Sequence, residues 1–311
     1  MSQQKPFFSC SELSRRAAEK TYGTASIGAV WLLVEYPFSW GAKAFHDSDL
    51  SGAVKAYLNR FIKTVPKARL LFIKQGRRKG GELSVFVVRC REQRPSIAQL
   101  KLSRYEQLLD IDMNALALGQ PHADAFTLDS SLYLVCTHGR RDKCCAKFGY
   151  PLYKSLRSAN PSVWQSSHVG GDRFAANLLC FPHGLFYAHV TEDSGRRVIE
   201  EYEARRIVLD KYRGRSCYSY PFQAAEFFIR RETGLKGLDE LRQLDCERVH
   251  EKAWRVRFRT ADGSVIHEAL VRSTMSDFHS YNTCHATEEK SVVQFLLDDY
   301  SATSVAPGSV P

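Results

Sequence analysis

The segment SLYLVCTHGRRDKCCAKFGYPLYKSLRSANPSVWQSSHVGGDRFAANLLCFPHGLFYAHV (131–190) decides the reading of this chain. SLYLVC (131–136) is a short apolar run, read as a strand that ends on a cysteine, and a polar, basic loop follows it. GYPLYKSLRSAN (149–160) reads as a helix, VWQSSH (163–168) as a second strand ending on histidine, and GGDRFAANL (170–178) as a tight turn opening a short helix. NLLCFP (177–182) and GLFYAHV (184–190) then read as two antiparallel strands around a Pro-His-Gly turn, and SGRRVIEEYEARRIVLDKY (194–212) as a charged helix. The order β-α-β-α-β-β-α, with two parallel strands, a hairpin and helices on both faces, predicts a thioredoxin-like fold.

Upstream, AVWLLVEY (29–36) reads as a buried strand, LSGAVKAYLNRFIKTV (50–65) as an amphipathic helix and ARLLFIKQ (68–75) as another strand. GRRKGG (76–81) is a turn, and LSVFVVRC (83–90) and SIAQLKLS (96–103) are β-rich. Downstream, AAEFFIRRETG (224–234) is helical, and a hairpin is expected around ADG (261–263). A chain of 311 residues that is 44% hydrophobic can bury two cores. The expected organisation is α/β in two domains: an N-terminal α/β domain over 1–127 and a thioredoxin-like domain with a C-terminal extension over 128–300. The small-residue tail 301–311 is expected to be disordered.

Composition narrows the function classes. No run of eighteen apolar residues occurs, so no membrane-spanning helix is expected, and the polar start MSQQKPFFSC lacks the apolar stretch of a secretory signal. A cytoplasmic location follows as the expectation. Nine cysteines, an odd and uneven set, argue against a disulfide framework and for thiols kept reduced. Cys10, Cys90, Cys180, Cys217, Cys246 and Cys284 sit singly and read as small buried hydrophobes. The net charge of +10 favours acidic partners, but basic residues are scattered among 34 acidic ones, so nucleic acid is not an expected partner.

The chemistry starts at CTHGRRDKCC. Cys136 ends a strand and Cys145 lies near the start of the next helix, eight residues intervening, a loop able to bring two thiolates to one metal centre. His168 ends the next strand and Asp172 follows Val-Gly-Gly. Strand ends on one edge of such a sheet converge, and Gly170 and Gly171 permit the close turn that a bound inorganic group requires. Iron–sulfur clusters take thiolate or imidazole ligands on each iron. His183 reads as a turn residue and His189 as a satisfied strand neighbour. Between 131 and 216, 14 Lys and Arg stand against 8 Asp and Glu, so His138, Arg140 and Arg141 read as part of a positive rim.

SLYLVCTHGRRDKCCAKFG and SSHVGGDRFAANLLCFPHGLFYAHV closely resemble the sucrase/ferredoxin-like family, with weaker likeness at 24–44 and 212–232. The resemblance implies a thioredoxin-like ferredoxin domain whose 2Fe-2S cluster is bound by two cysteines at this spacing and two histidines in an H-x-x-x-H arrangement. Cys136, Cys145 and His168 match those positions, whereas Asp172 stands at the second histidine. Three outcomes are open: Asp172 is the fourth ligand; Cys144, His138 or Cys180 replaces it; or the site takes a different metal or none. The function implied is an iron–sulfur electron carrier with an acidic redox partner protein. The alternatives are a zinc-binding structural or interaction module at the same four residues, and a thiol oxidoreductase using Cys144 and Cys145. A sucrose hydrolase would need two carboxylates across a cleft, and no such pair is signalled.

Overall fold

The computed structural model describes residues 8–76, 81–119 and 126–305. After helix α1 (Cys10–Arg16) come strand β1 (Val30–Glu35), helix α2 (Gly52–Thr64), and strands β2 (Ala68–Lys74), β3 (Leu83–Arg89) and β4 (Ser96–Leu102), then the short helix α3 (Met113–Leu118). The middle of the chain carries β5 (Leu132–Cys136), α4 (Lys143–Ala159), β6 (Val163–Ser166), β7 (Leu178–Phe181), β8 (Leu185–Tyr187), α5 (Glu192–Glu203) and β9 (Tyr212–Arg215). Helix α6 (Tyr220–Thr233) leads into β10 (Leu241–His250), β11 (Ala253–Thr260), β12 (Val265–Ser280) and β13 (Lys290–Ser304).

The local chemistry explains these elements. Val30–Val34 are all buried because β1 lies inside a sheet, parallel to β2 and antiparallel to β3, so its apolar run is continuous rather than alternating. Helix α2 starts at the Ser51 cap and turns Val54, Leu58 and Phe61 onto β1 and its neighbours. Helix α4 is capped by Asp142, whose carboxylate accepts from the Cys144 amide. It therefore begins six residues before the helix expected at Gly149, and Cys145 lies inside its first turn.

Nine strands form one sheet in the order β4-β3-β1-β2-β6-β5-β7-β8-β9. The boundary expected at residue 127 is therefore not a sheet boundary. Strand β2 from the first half pairs antiparallel with β6 from the second through Ile73–Ser166 and Lys74–Gln165. This junction covers what would be two exposed strand edges, and the apolar cluster around Trp31, Phe86, Leu134 and Trp164 draws on both halves. Strands β5 and β6 are parallel, and β7 and β8 follow as an antiparallel hairpin. The short helix expected after Gly171 is a single 3-10 turn, Asp172–Phe174, and the charged helix stops at Glu203, leaving Tyr212–Arg215 as strand β9.

The C-terminal part is a separate four-stranded antiparallel sheet, β10-β11-β12-β13, with its own core against α6. The expected hairpin around Ala261–Gly263 is its centre. Strand β13 runs to Ser304, so the first four residues of the expected disordered tail are paired with β12, Ser304 opposite Val265. Residues 306–311 of that tail, and 77–80 of the turn expected at 76–81, lie outside the described residues. Among the described residues no helix is long and apolar enough to cross a membrane.

Candidate metal centre

The end of β5, the first turn of α4 and the segment after β6 meet at one point. Donor atoms of Cys136, Cys145 and His168 all lie within 4.8 Å of one another. Both cysteines are buried, and the His168 side chain is 25% exposed, so the trio has one wet side. Local packing fixes the two thiols. Gly149 of α4 rests on the carbonyl of Cys136 so closely that a Cβ there would lie 2.0 Å from the oxygen, which holds the helix start against the strand end.

Asp172 stands beside this trio rather than within it. Its Oδ1 is 2.8 Å from His168 Nδ1 and accepts from the Cys145 thiol at 3.4 Å. The first contact lies off the line of a hydrogen bond, which leaves the buried His168 Nδ1 without a hydrogen-bond partner. A buried ring nitrogen ion-paired with Asp172, next to two buried thiols, belongs to a donor set suited to a thiophilic metal.

The electrostatics agree. A hydrogen bond from Cys145 holds the Cys136 thiol well below its usual range, against the cost of burial and with help from His168. That same bond and burial push Cys145 well above. Burial opposes charge on His168, but Asp172 and then Cys136 carry it up to about 9. A thiol held low, a thiol held high and an imidazole held high thus share a small space, and a metal cation can take the place of their protons. The turn that carries His168 to Asp172 has its own supports. Gly170 and Gly171 have φ of 92° and 79°; the buried Arg213 donates to the Gly170 carbonyl at 3.1 Å and to Asn177 Oδ1 at 2.7 Å; Ser26 Oγ donates to the Val169 carbonyl.

The other expected candidates are elsewhere. Both ring nitrogens of His138 are engaged by backbone, Nδ1 accepting from the His168 amide at 3.2 Å and Nε2 donating to the Gly41 carbonyl at 2.7 Å. Cys180 pairs across the sheet with Tyr133, on the face opposite Cys136, and is packed among apolar residues. Cys144 points away from Cys145 into a second group made of Cys10, Asp142, Cys144 and Cys284. That group was invisible to sequence reasoning, because its members lie up to 274 residues apart. His183 is buried in its turn against the Tyr202 hydroxyl, and His189 accepts from Arg15.

A region of 99 residues is 27% identical to the altered inheritance of mitochondria protein 32 of Meyerozyma guilliermondii, covering 28% of this chain and 35% of that protein. The chain thus aligns with only about a third of the relative's length. No solved structure matches. The sucrase/ferredoxin-like family model matches residues 21–214, which include Cys136, Cys145, His168 and Asp172. With more than half of its length so matched, this chain belongs to the sucrase/ferredoxin-like family.

Proposed function

We propose that this protein is a one-electron carrier holding a 2Fe-2S cluster at Cys136, Cys145 and His168, with Asp172 as the fourth donor. The observation that carries the reading is the meeting of two buried thiols and a histidine at one point, their donor atoms within 4.8 Å of one another. Family membership adds the ferredoxin-like context. A bound cluster supplies reversible uptake of a single electron. The chain's own residues set the conditions: Cys136 and Cys145 are shielded from water, and His168 is the partly exposed member of the trio. The strand order β6-β5-β7-β8, a parallel pair followed by a hairpin, supports a thioredoxin-like reading of this half of the sheet. Arg140 and Arg141 in the loop between the cysteines, and Lys143 at the start of α4, are exposed, a positive rim suited to an acidic redox partner.

A zinc module is the second reading, favoured by the mutual separation of the trio, within 4.8 Å, which suits the shell of a single ion. Anaerobic purification followed by iron, acid-labile sulfide and zinc analysis separates the two. The electron-carrier reading expects about two irons and two sulfides per chain. Stoichiometric zinc without sulfide, lost on Cys136→Ser, overturns it.

A further inference from the structure

Cys10 opens α1, Cys144 sits in the first turn of α4, and Cys284 lies between β12 and β13. Three segments remote in sequence thus bring three thiols together. Cys144 Sγ is 3.2 Å from Cys284 Sγ, and Cys284 Sγ is 3.5 Å from Cys10 Sγ. Asp142 is the fourth member, and all four donor atoms lie within 4.8 Å of one another.

We propose that Cys10, Cys144, Cys284 and Asp142 form a second metal site, a structural one that takes a single zinc ion. Four donors match the closed tetrahedral shell of structural zinc, whose Zn–S bonds of about 2.3 Å put neighbouring sulfurs about 3.8 Å apart. A 2Fe-2S cluster would instead spread its ligands over two irons. Burial points the same way. Cys10, Cys144 and Asp142 are fully buried, and the carboxylate is met by neutral donors: the amides of Cys144 at 2.8 Å and Cys284 at 2.6 Å, and the Cys10 thiol at 3.8 Å. A buried carboxylate beside three thiols is a donor set that a zinc ion can join, the ligand thiols giving up their protons on binding. The two amides orient the carboxylate as supporting groups commonly orient a metal ligand.

The surroundings suit a structural role. Phe8 stacks on Tyr281 with ring centroids 4.1 Å apart, bringing the chain before α1 onto the loop after β12. Ser9 Oγ lies 3.2 Å from Cys144 Sγ. An ion here would clamp the N-terminal helix and the four-stranded sheet onto the start of α4. Cys10 and Cys284 lie outside the residues matched by the family model, so this site is distinct from the centre at Cys136.

The test is metal analysis of the full chain, made with iron and zinc both supplied and purified anaerobically. About one zinc per chain is expected in the unmutated protein, falling to none in Cys10→Ser and in Cys284→Ser while iron and Cys246→Ser zinc stay unchanged. Cys136→Ser should remove iron and keep the zinc. Should the zinc instead occupy the Cys136 centre, Cys136→Ser would remove it and Cys284→Ser would not, which overturns this proposal. For variants that precipitate, the unmutated chain decides: titration with a mercurial in the presence of a zinc indicator should release zinc in step with thiol modification. No zinc release, or a Cys144–Cys284 disulfide seen as a mass lighter by a pair of hydrogens, also overturns it.

Discussion

Cys144 and Cys145 are chain neighbours in one helical turn, yet they serve different constellations. Successive side chains on an α-helix point about 100° apart, so adjacent residues cannot face one point together. Cys145 faces Cys136 and His168, in a set with one wet side and Asp172 standing beside it. Cys144 faces Cys10 and Cys284, in a set of four donors completed by Asp142, whose part-exposed member is Cys284. On the function proposed above, the three-donor set with Asp172 beside it would hold the cluster that exchanges electrons. The four-donor set, drawn from three remote segments, would hold an ion that ties those segments together. Two functions can therefore be separated by a single step along a helix, provided remote segments supply the remaining donors.

The sharpest way to break this contrast is to remove one ligand at a time. Cys136→Ser or Cys145→Ser should abolish bound iron and sulfide entirely, while Cys90→Ser or Cys246→Ser leaves both intact, as read by colorimetric iron and sulfide assays. Equal loss across both pairs would mean general misfolding and would erase the distinction between the sites.

Asp172 tests how open the first set is. Removing a carboxylate that orients or ligates at a metal weakens metal binding by roughly 10–100-fold, so Asp172→Ala should lose cluster readily to a chelator. Asp172→His exchanges a negative donor for a neutral one. Its reduction potential should rise and become more dependent on pH near neutrality, because an imidazole titrates there. Unchanged chelator sensitivity in Asp172→Ala, together with an unchanged potential in Asp172→His, would remove Asp172 from the ligand set.

Gly149 tests the packing that joins helix and strand. A methyl group there would lie 2.0 Å from the Cys136 carbonyl oxygen, so Gly149→Ala must displace α4 from β5. Overpacking of this kind costs roughly 1–3 kcal/mol, and iron content should fall along with the melting temperature. An unaltered melting curve would contradict the close approach.

The smallest effect is one of pH and lies away from both metal sets. Burial first, and then Arg215, push His183 down to about 3. An unfolded chain binds that proton below about 6.5, so the folded state loses stability as pH falls from 6.5 towards 3. By pH 5 the loss amounts to about 2 kcal/mol. Denaturant melts at pH 7 and pH 5 should show it, and His183→Gln should show less of it; equal losses in both proteins would mean His183 is not held neutral.

The sequence carried the first set because its four residues fall within 37 positions on strand ends and a loop. Strand β5, the β7–β8 hairpin and helix α2 were legible from apolar runs and periodicity, which their buried faces enforce. Strand β9 was hidden inside a charged stretch because Arg213 and Arg215 are buried there, Arg213 held by Asn177 and Thr24 and Arg215 by Glu226. The β2–β6 junction left no local mark, since it joins residues 73–74 to 165–166. Cys10 and Cys284 looked like solitary core thiols because only the tertiary fold brings them within 3.5 Å.

The most direct test of the central claim is nitrogen hyperfine spectroscopy on the anaerobically reduced protein. The account predicts a paramagnetic reduced centre coupled to one directly bound histidine nitrogen, lost on His168→Cys while iron is retained. A reduced centre without histidine coupling, or protein that carries no iron at all, would contradict it.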